Sequence, residues 1–236
     1  RLKRLSVGRV QSVAVSIIKD KEDEIKAFIP EEYWNITNNF SKNKDHYQGK
    51  LFDINGTSGK NLTITNETDA KNIEQEISKL NYKIYSIKSN TRKTKPRPPF
   101  TTSSLQQDAS SRLRMAPSRT MSIAQQLFQG INLGNGEEGL ITYMRTDSNV
   151  LSADSLSQIG NFIQTSYGSD YHSEKKYKTR SANAQEAHEA IRPTSINRTP
   201  ESIEKFLSED QLKLYDLIWK RTVASQMKES ENKKTT

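Results

Sequence analysis

Apolar residues at Leu5, Val7, Val10, Val13, Ala14, Ile17 and Ile18 recur at near-helical spacing, which predicts a first helix running to about Phe28, where Pro30 stops it. The texture then changes. Residues 33–40 and 47–54 are rich in aromatic and β-branched side chains and are followed by Asn55-Gly56, so they predict two paired strands. Ile73, Ile77 and Leu80 mark a short helix and 82–87 a third strand. Residues 92–99 combine three prolines with four cations, a composition that disfavours helix and sheet and predicts an extended connector at a domain boundary. Beyond it the pattern turns helical. A helix over 103–114 is expected, with Ser103 and Gln106 as its capping box. A second, over 117–129, would carry Pro117 in its first turn and stop at Gly130. Gly134, Gly136 and Gly139 predict a mobile loop leading into a short β-like run at 140–144. Further helices open at Ser152, at Thr199-Pro200, and at Ser208 with Gln211, the last amphipathic through Leu212, Tyr215, Ile218 and Trp219. The fold class is α+β and multidomain.

Composition narrows the partners. Lys and Arg number 36 against 28 Asp and Glu, a formal charge of +8, which favours a polyanion, nucleic acid above all. The absence of cysteine excludes a disulfide, a thiolate nucleophile and a Cys-based zinc site, and with it the default compartment is the cytoplasm. No apolar run approaches the ~20 residues of a membrane span. The chain opens on Arg1 with helical periodicity at once, and its Lys-rich tail after Met227 has none, so an internal piece of a larger protein is expected.

Three groups of residues could carry chemistry. Tyr143, Arg145 and Asp147 alternate, and an extended backbone would put all three on one face. A phenol can attack a phosphodiester while a guanidinium forks onto its oxygens; by spacing alone the same trio also describes solvated ion pairs, the commoner use of such residues. His188 lies in Gln185-Glu-Ala-His-Glu-Ala-Ile-Arg-Pro, where a helical turn would bring Arg192 toward it; a surface histidine in a capped helix fits equally. Glu186 and Glu189 beside it match no compact metal-ligand pattern. At the head of the first helix, Ser6 can cap, Gly8 admits a close backbone, and Arg9 and Gln11 can donate to phosphates or bases, the plain alternative being an ordinary capped helix.

Together with Phe28-Ile-Pro-Glu-Glu-Tyr-Trp, Pro99-Phe-Thr-Thr-Ser-Ser-Leu-Gln-Gln and Leu217-Ile-Trp-Lys-Arg-Thr-Val-Ala-Ser-Gln-Met, these segments resemble the type IA DNA topoisomerases, in the bacterial topoisomerase I form given by Tyr143-Met-Arg-Thr-Asp-Ser. The resemblance implies a groove helix from the base domain at 1–28 and an incomplete β-rich arch at 29–99. It places a helical domain with the catalytic tyrosine at 100–230 and a tail back to the arch at 231–236. It implies transient cleavage of one DNA strand by Tyr143, with Arg145 on the scissile phosphate, His188 assisting beside Asp147, and Ser6, Val7, Gly8, Arg9, Val10 and Gln11 lining a single-strand groove. Strand passage and resealing would relax negative supercoils without ATP. Mg²⁺ would be held by a Toprim domain outside this chain and by no residue here, which leaves the isolated chain inactive. The implied setting is a monomer in the bacterial cytoplasm, associated with the nucleoid, acting with the remaining domains of its polypeptide on underwound or single-stranded DNA. Two other classes fit parts of the pattern: a non-catalytic module binding single-stranded DNA, and a tyrosine recombinase, which would block the opposite DNA end.

Overall fold

The computed structural model describes residues 8–59, 62–134, 136–177 and 188–236. The chain divides into two compact units, Arg1–Tyr85 and Ser86–Thr236.

The first unit begins with α1 (Arg9–Ala27), which ends at Phe28 as the sequence predicts. Its cap is the extended Gly8, without a side-chain bond; Ser6, expected to cap, and Val7 lie outside the described residues. Strands β1 (Thr37–Lys42) and β2 (Asp45–Lys50) form an antiparallel hairpin in which Phe40 faces Tyr47. The expected second strand breaks after residue 50, and a smaller hairpin follows from β3 (Asp53–Ile54) and β4 (Thr57–Ser58). Its turn is Asn55-Gly56 with φ of 52° and 85°, a left-handed pair that asparagine and glycine accept at little cost. Helix α2 (Glu67–Ile77) is capped by Asn66, which accepts from the Asp69 amide at 2.8 Å. The third strand expected at 82–87 does not form. Tyr82 instead closes over the hairpin, meeting Phe40 edge-on at 5.0 Å, accepting from Asn38 at 3.0 Å and donating to the Ile77 carbonyl at 2.6 Å.

The second unit is mainly helical. It opens with β5 (Ser89–Thr94), which pairs antiparallel with β8 (Ser230–Thr235), from Ser89↔Thr235 to Thr94↔Ser230. The expected connector at 92–99 is therefore a strand in its first half, and the tail without periodicity is that strand's partner. The Lys93 to Glu231 ion pair at 2.9 Å offsets part of the like-charge repulsion along the ribbon. Helices α3 (Thr102–Leu113), α4 (Pro117–Gln129) and, later in the chain, α7 (Glu209–Ser225) pack around Leu105, Ala109, Ile123, Leu127, Leu214 and Ile218. The capping box of α3 belongs to Thr101 and Ser104 rather than to Ser103 and Gln106. Between α4 and α7 come the short ribbon of β6 (Ile131–Asn132) and β7 (Glu137–Glu138), then α5 (Ala153–Tyr167), capped by Ser152, and the single turn α6 (Pro200–Ile203), capped by Thr199. Buried polar tips on α7 are satisfied: the Tyr215 hydroxyl donates to the Arg198 carbonyl at 2.7 Å and the Trp219 indole to Ile196 at 2.9 Å. Burial also raises the Tyr215 hydroxyl well above the usual phenol range, so its role there is to donate. No helix of the described residues is long and apolar enough to cross a membrane.

Candidate active site

The segment from Ile141 to Ser148 runs through the second unit as an irregular thread, bent at Thr142, Met144 and Arg145, whose residues alternate in their company. Ile141, Met144, Thr146 and Ser148 are buried, whereas Tyr143, Arg145 and Asp147 face solvent. The alternation read from the sequence is present. It is not, however, maintained by a sheet: the thread has a single isolated bridge, Ile141 to Pro193. The first turn of α3 holds it instead. The Thr102 amide donates to the Thr146 carbonyl at 2.9 Å, its hydroxyl lies 2.7 Å from the Met144 carbonyl and 3.1 Å from that of Thr146, and it accepts from the Thr146 amide at 2.9 Å. One side chain therefore grips the backbone on both sides of Arg145. Thr142 does the same toward the other wall, donating to the Ala190 carbonyl at 2.7 Å and accepting from the Arg192 amide at 3.0 Å. Gly139 sets the approach to the thread: a Cβ there would stand 2.6 Å from the Phe128 carbonyl oxygen, so the end of α4 comes this close only against glycine.

His188 is not on a helical turn. Residues 188–190 are not helical, the part of the motif before them lies outside the described residues, and Arg192 forks onto Glu189 at 2.6 and 3.0 Å and donates to the Pro193 carbonyl. Glu189 also accepts from the Ser152 amide at 2.6 Å, which ties this strand to the start of α5. Burial alone would push the Glu189 carboxyl up; the bonds from Ser152 and Arg192 outweigh it and leave the group below the ordinary glutamate value. With its guanidinium so used, Arg192 does not share a ligand with His188, as the sequence had suggested.

These anchors bring Tyr143, Arg145, Asp147 and His188 to one open cleft of about 670 Å³, whose far wall is Thr101, Thr102 and Ser103 at the start of α3. The Tyr143 ring sits between the edge of Phe128, 5.3 Å away between centroids, and the His188 ring at 5.6 Å. Among the described residues of this unit, six arginines are tied to carboxylates: Arg97, Arg112 and Arg221 to Asp108, Arg119 to Asp210, Arg192 to Glu189 and Arg198 to Glu138. In the cleft, by contrast, neither the Tyr143 hydroxyl, the Arg145 guanidinium nor the Asp147 carboxylate has a side-chain hydrogen bond or ion pair among the described residues. A cation and a helix N-terminus facing an exposed phenol make a place for an anion next to a nucleophile. The threonines and serine of α3 were not read from the sequence as site residues; the Thr-Thr-Ser-Ser run just before a helical pattern was the available signal. Of the remaining expected site residues, Gly8, Arg9, Val10 and Gln11 lie at the first turn of α1, in the other unit.

The profile of the family described as DNA topoisomerase matches residues 1–236. This chain belongs to the DNA topoisomerase family. It is similar to DNA topoisomerase 1 of Campylobacter jejuni, with 48% identity over 225 residues, and to that of Rickettsia felis, with 45% identity over 225 residues. Each alignment covers 94% of this chain but only 32% and 29% of those relatives. The chain thus spans about a third of their length. Its fold is similar to full-length topoisomerase I of Thermotoga maritima, with a TM-score of 0.78 and 35% identity over 99% of this chain and 36% of that one.

Proposed function

We propose that this chain is the tyrosine-bearing part of a type IA DNA topoisomerase and that Tyr143 is the nucleophile that opens one DNA strand. The observation that carries the reading is the convergence of Tyr143, Arg145 and His188 on one open cleft in which the phenol and the guanidinium lack side-chain partners among the described residues. In the reaction, the Tyr143 hydroxyl loses its proton and its oxygen bonds to phosphorus. The bond from phosphorus to the 3′ oxygen breaks, and that oxygen takes up a proton. The strand is left with a 5′ phosphotyrosine and a free 3′ hydroxyl, and the same steps in reverse reseal it without ATP. Arg145 forks onto the non-bridging oxygens and stabilises the charge that grows on them. His188 contacts the phosphate or the adjoining DNA. Ser6, Val7, Gly8, Arg9, Val10 and Gln11 would contact single-stranded DNA, Ser6 and Val7 lying outside the described residues. Passage of another strand through the gap relaxes negative supercoils.

Mg²⁺, when bound by the Toprim part of such an enzyme, supplies charge neutralisation at the phosphate. Among the described residues here, no three His, Asp or Glu side chains stand together to hold a metal. The cleft and the basic surplus of the chain together bind single-stranded DNA.

The test uses the longer protein that includes the Toprim part. Denaturant-trapped covalent complex should form with the DNA blocked at its 5′ end, and Tyr143→Phe should abolish it while leaving noncovalent binding nearly intact. Adduct surviving that change, or a blocked 3′ end, would overturn the assignment.

A further inference from the structure

A second cavity of the helical unit, about 480 Å³, lies between α3 and α7. One of its two lining carboxylates, Asp108, stands among three guanidiniums: Arg221, Arg112 at 3.3 Å and Arg97 at 3.6 Å. The three are not equivalent. The Arg221 side chain is 12% exposed, lies over the Phe100 ring at 4.2 Å and donates to the Pro98 carbonyl; it belongs to the core. Arg97 and Arg112 are 68% and 60% exposed. One carboxylate can neutralise one of the three charges. The lysines that α7 adds to the rim, Lys213 and Lys220, are matched by Glu209 and Asp216 and leave the surplus as it is. Arg221 registers that surplus. Burial lowers its pKa, Asp108 opposes this, and the repulsion of Arg97 and Arg112 adds to the lowering, with the net result below the usual arginine range.

We propose that Arg97 and Arg112, oriented by Asp108, form a docking point for the DNA phosphate backbone outside the Tyr143 cleft. The proposal rests on the DNA reading above. Exposed guanidiniums already fixed by a carboxylate sacrifice little rotamer freedom on forking onto a phosphate. Placement supports the same strand for both sites. Thr101 in the cleft and Asp108 in the groove are seven residues apart, so they share a face of α3, roughly 10 Å apart along its axis. That is about three nucleotide steps at ~3.4 Å each. A strand held at Tyr143 passes the groove as it leaves.

The experiment is titration of a labelled single-stranded oligonucleotide with the full 236-residue chain over a range of salt concentrations. Arg97→Gln with Arg112→Gln should weaken binding several-fold and reduce the slope of log affinity against log salt by about 1.4, ~0.7 for each phosphate that the variant leaves unneutralised. Arg145→Gln should weaken binding independently, and the triple change should multiply the two effects. Circular dichroism of the double variant should match the parent, because both side chains are exposed and Arg221 still neutralises Asp108. If Arg145→Gln weakens binding while the double variant binds with unchanged affinity and slope, the groove does not hold DNA and the cleft reading stands. If the parent chain shows no salt-dependent binding at all, the DNA reading falls and the groove with it.

Discussion

Phe40 and Phe100 are the same residue in opposite surroundings. Phe40 stacks on Tyr47 at 5.2 Å and meets Tyr82 edge-on, in a layer that stays half open to water. Phe100 is fully buried beneath the Arg221 guanidinium. The contrast extends to whole units. In the first, Ile64 and Ala70 are the buried apolar residues among those described, and α1 buries none of its own; in the second, a continuous core links all the described helices. Hairpins held by turn chemistry and aromatic pairs are local and marginal, while a packed interior is stiff. The exposed thread with Tyr143 and Arg145 is anchored to the stiff unit. The proposed role of Tyr143, meeting a phosphate to within a fraction of an ångström, needs such a base.

Each half of this comparison can be broken separately, because Trp34 reports on the first unit and Trp219 on the second. Phe100→Ala should have the largest effect, destabilising the helical unit by about 3 to 5 kcal/mol, read as an earlier denaturant midpoint for Trp219 fluorescence. Phe40→Ala should cost only about 1 to 2 kcal/mol and appear at Trp34; equal costs would erase the distinction between the units. Next comes Thr102→Val, which strands the Thr146 amide and the Met144 carbonyl at a cost of about 1 to 3 kcal/mol. In the longer protein it should slow DNA cleavage, with most of the rate recovered by Thr102→Ser. Full cleavage in the valine variant would mean that the thread is held without this hydroxyl.

The third effect depends on pH. Glu189 stays charged in the folded chain below the value, near 4.5, at which the unfolded chain takes up its proton. Its contribution is therefore complete above about pH 4.5 and fades as the pH falls through the lower, folded value. Glu189→Gln should destabilise the helical unit at neutral pH, and the gap from the parent should close in acid; a gap that widened in acid would reverse the sign of the argument. The smallest effect is Gly56→Ala, about 1 kcal/mol and confined to the first unit, since alanine is strained at a φ of 85°.

Sequence signals served best where the governing contact is close in the chain. Pro117 and Gly130 bound α4, and Asn55-Gly56 makes its turn. The alternation of Tyr143, Arg145 and Asp147 was legible too, because Met144, Thr146 and Ser148 between them are the residues that pack. What fixes the thread was not legible: Thr102 reaches Met144 and Thr146 across more than forty residues, and nothing local to either segment announces it. The expected approach of Arg192 to His188 was not met, because Arg192 is engaged by Glu189 and residues 188–190 are not helical. Tyr82 left its expected strand because Asn38, Phe40 and Ile77 offered the ring and hydroxyl better partners. The strand at Ser89–Thr94 was hidden by its cations, whose partner Glu231 lies at the other end of the unit.

That last pairing has a mechanical consequence. The helical unit begins with β5 and ends with β8, and beyond Ser89 with Thr235 the ladder closes on Lys88 with Thr236, each amide donating to the other's carbonyl at 2.8 Å. Tension applied at those two residues does not shear the ladder. It unzips it, loading one rung at a time in order toward Thr94 and Ser230, and the force needed is that of a single rung rather than of the whole ladder together. The ribbon yields first and gives slack, so the cleft around Tyr143 feels no pull until the last rung has parted.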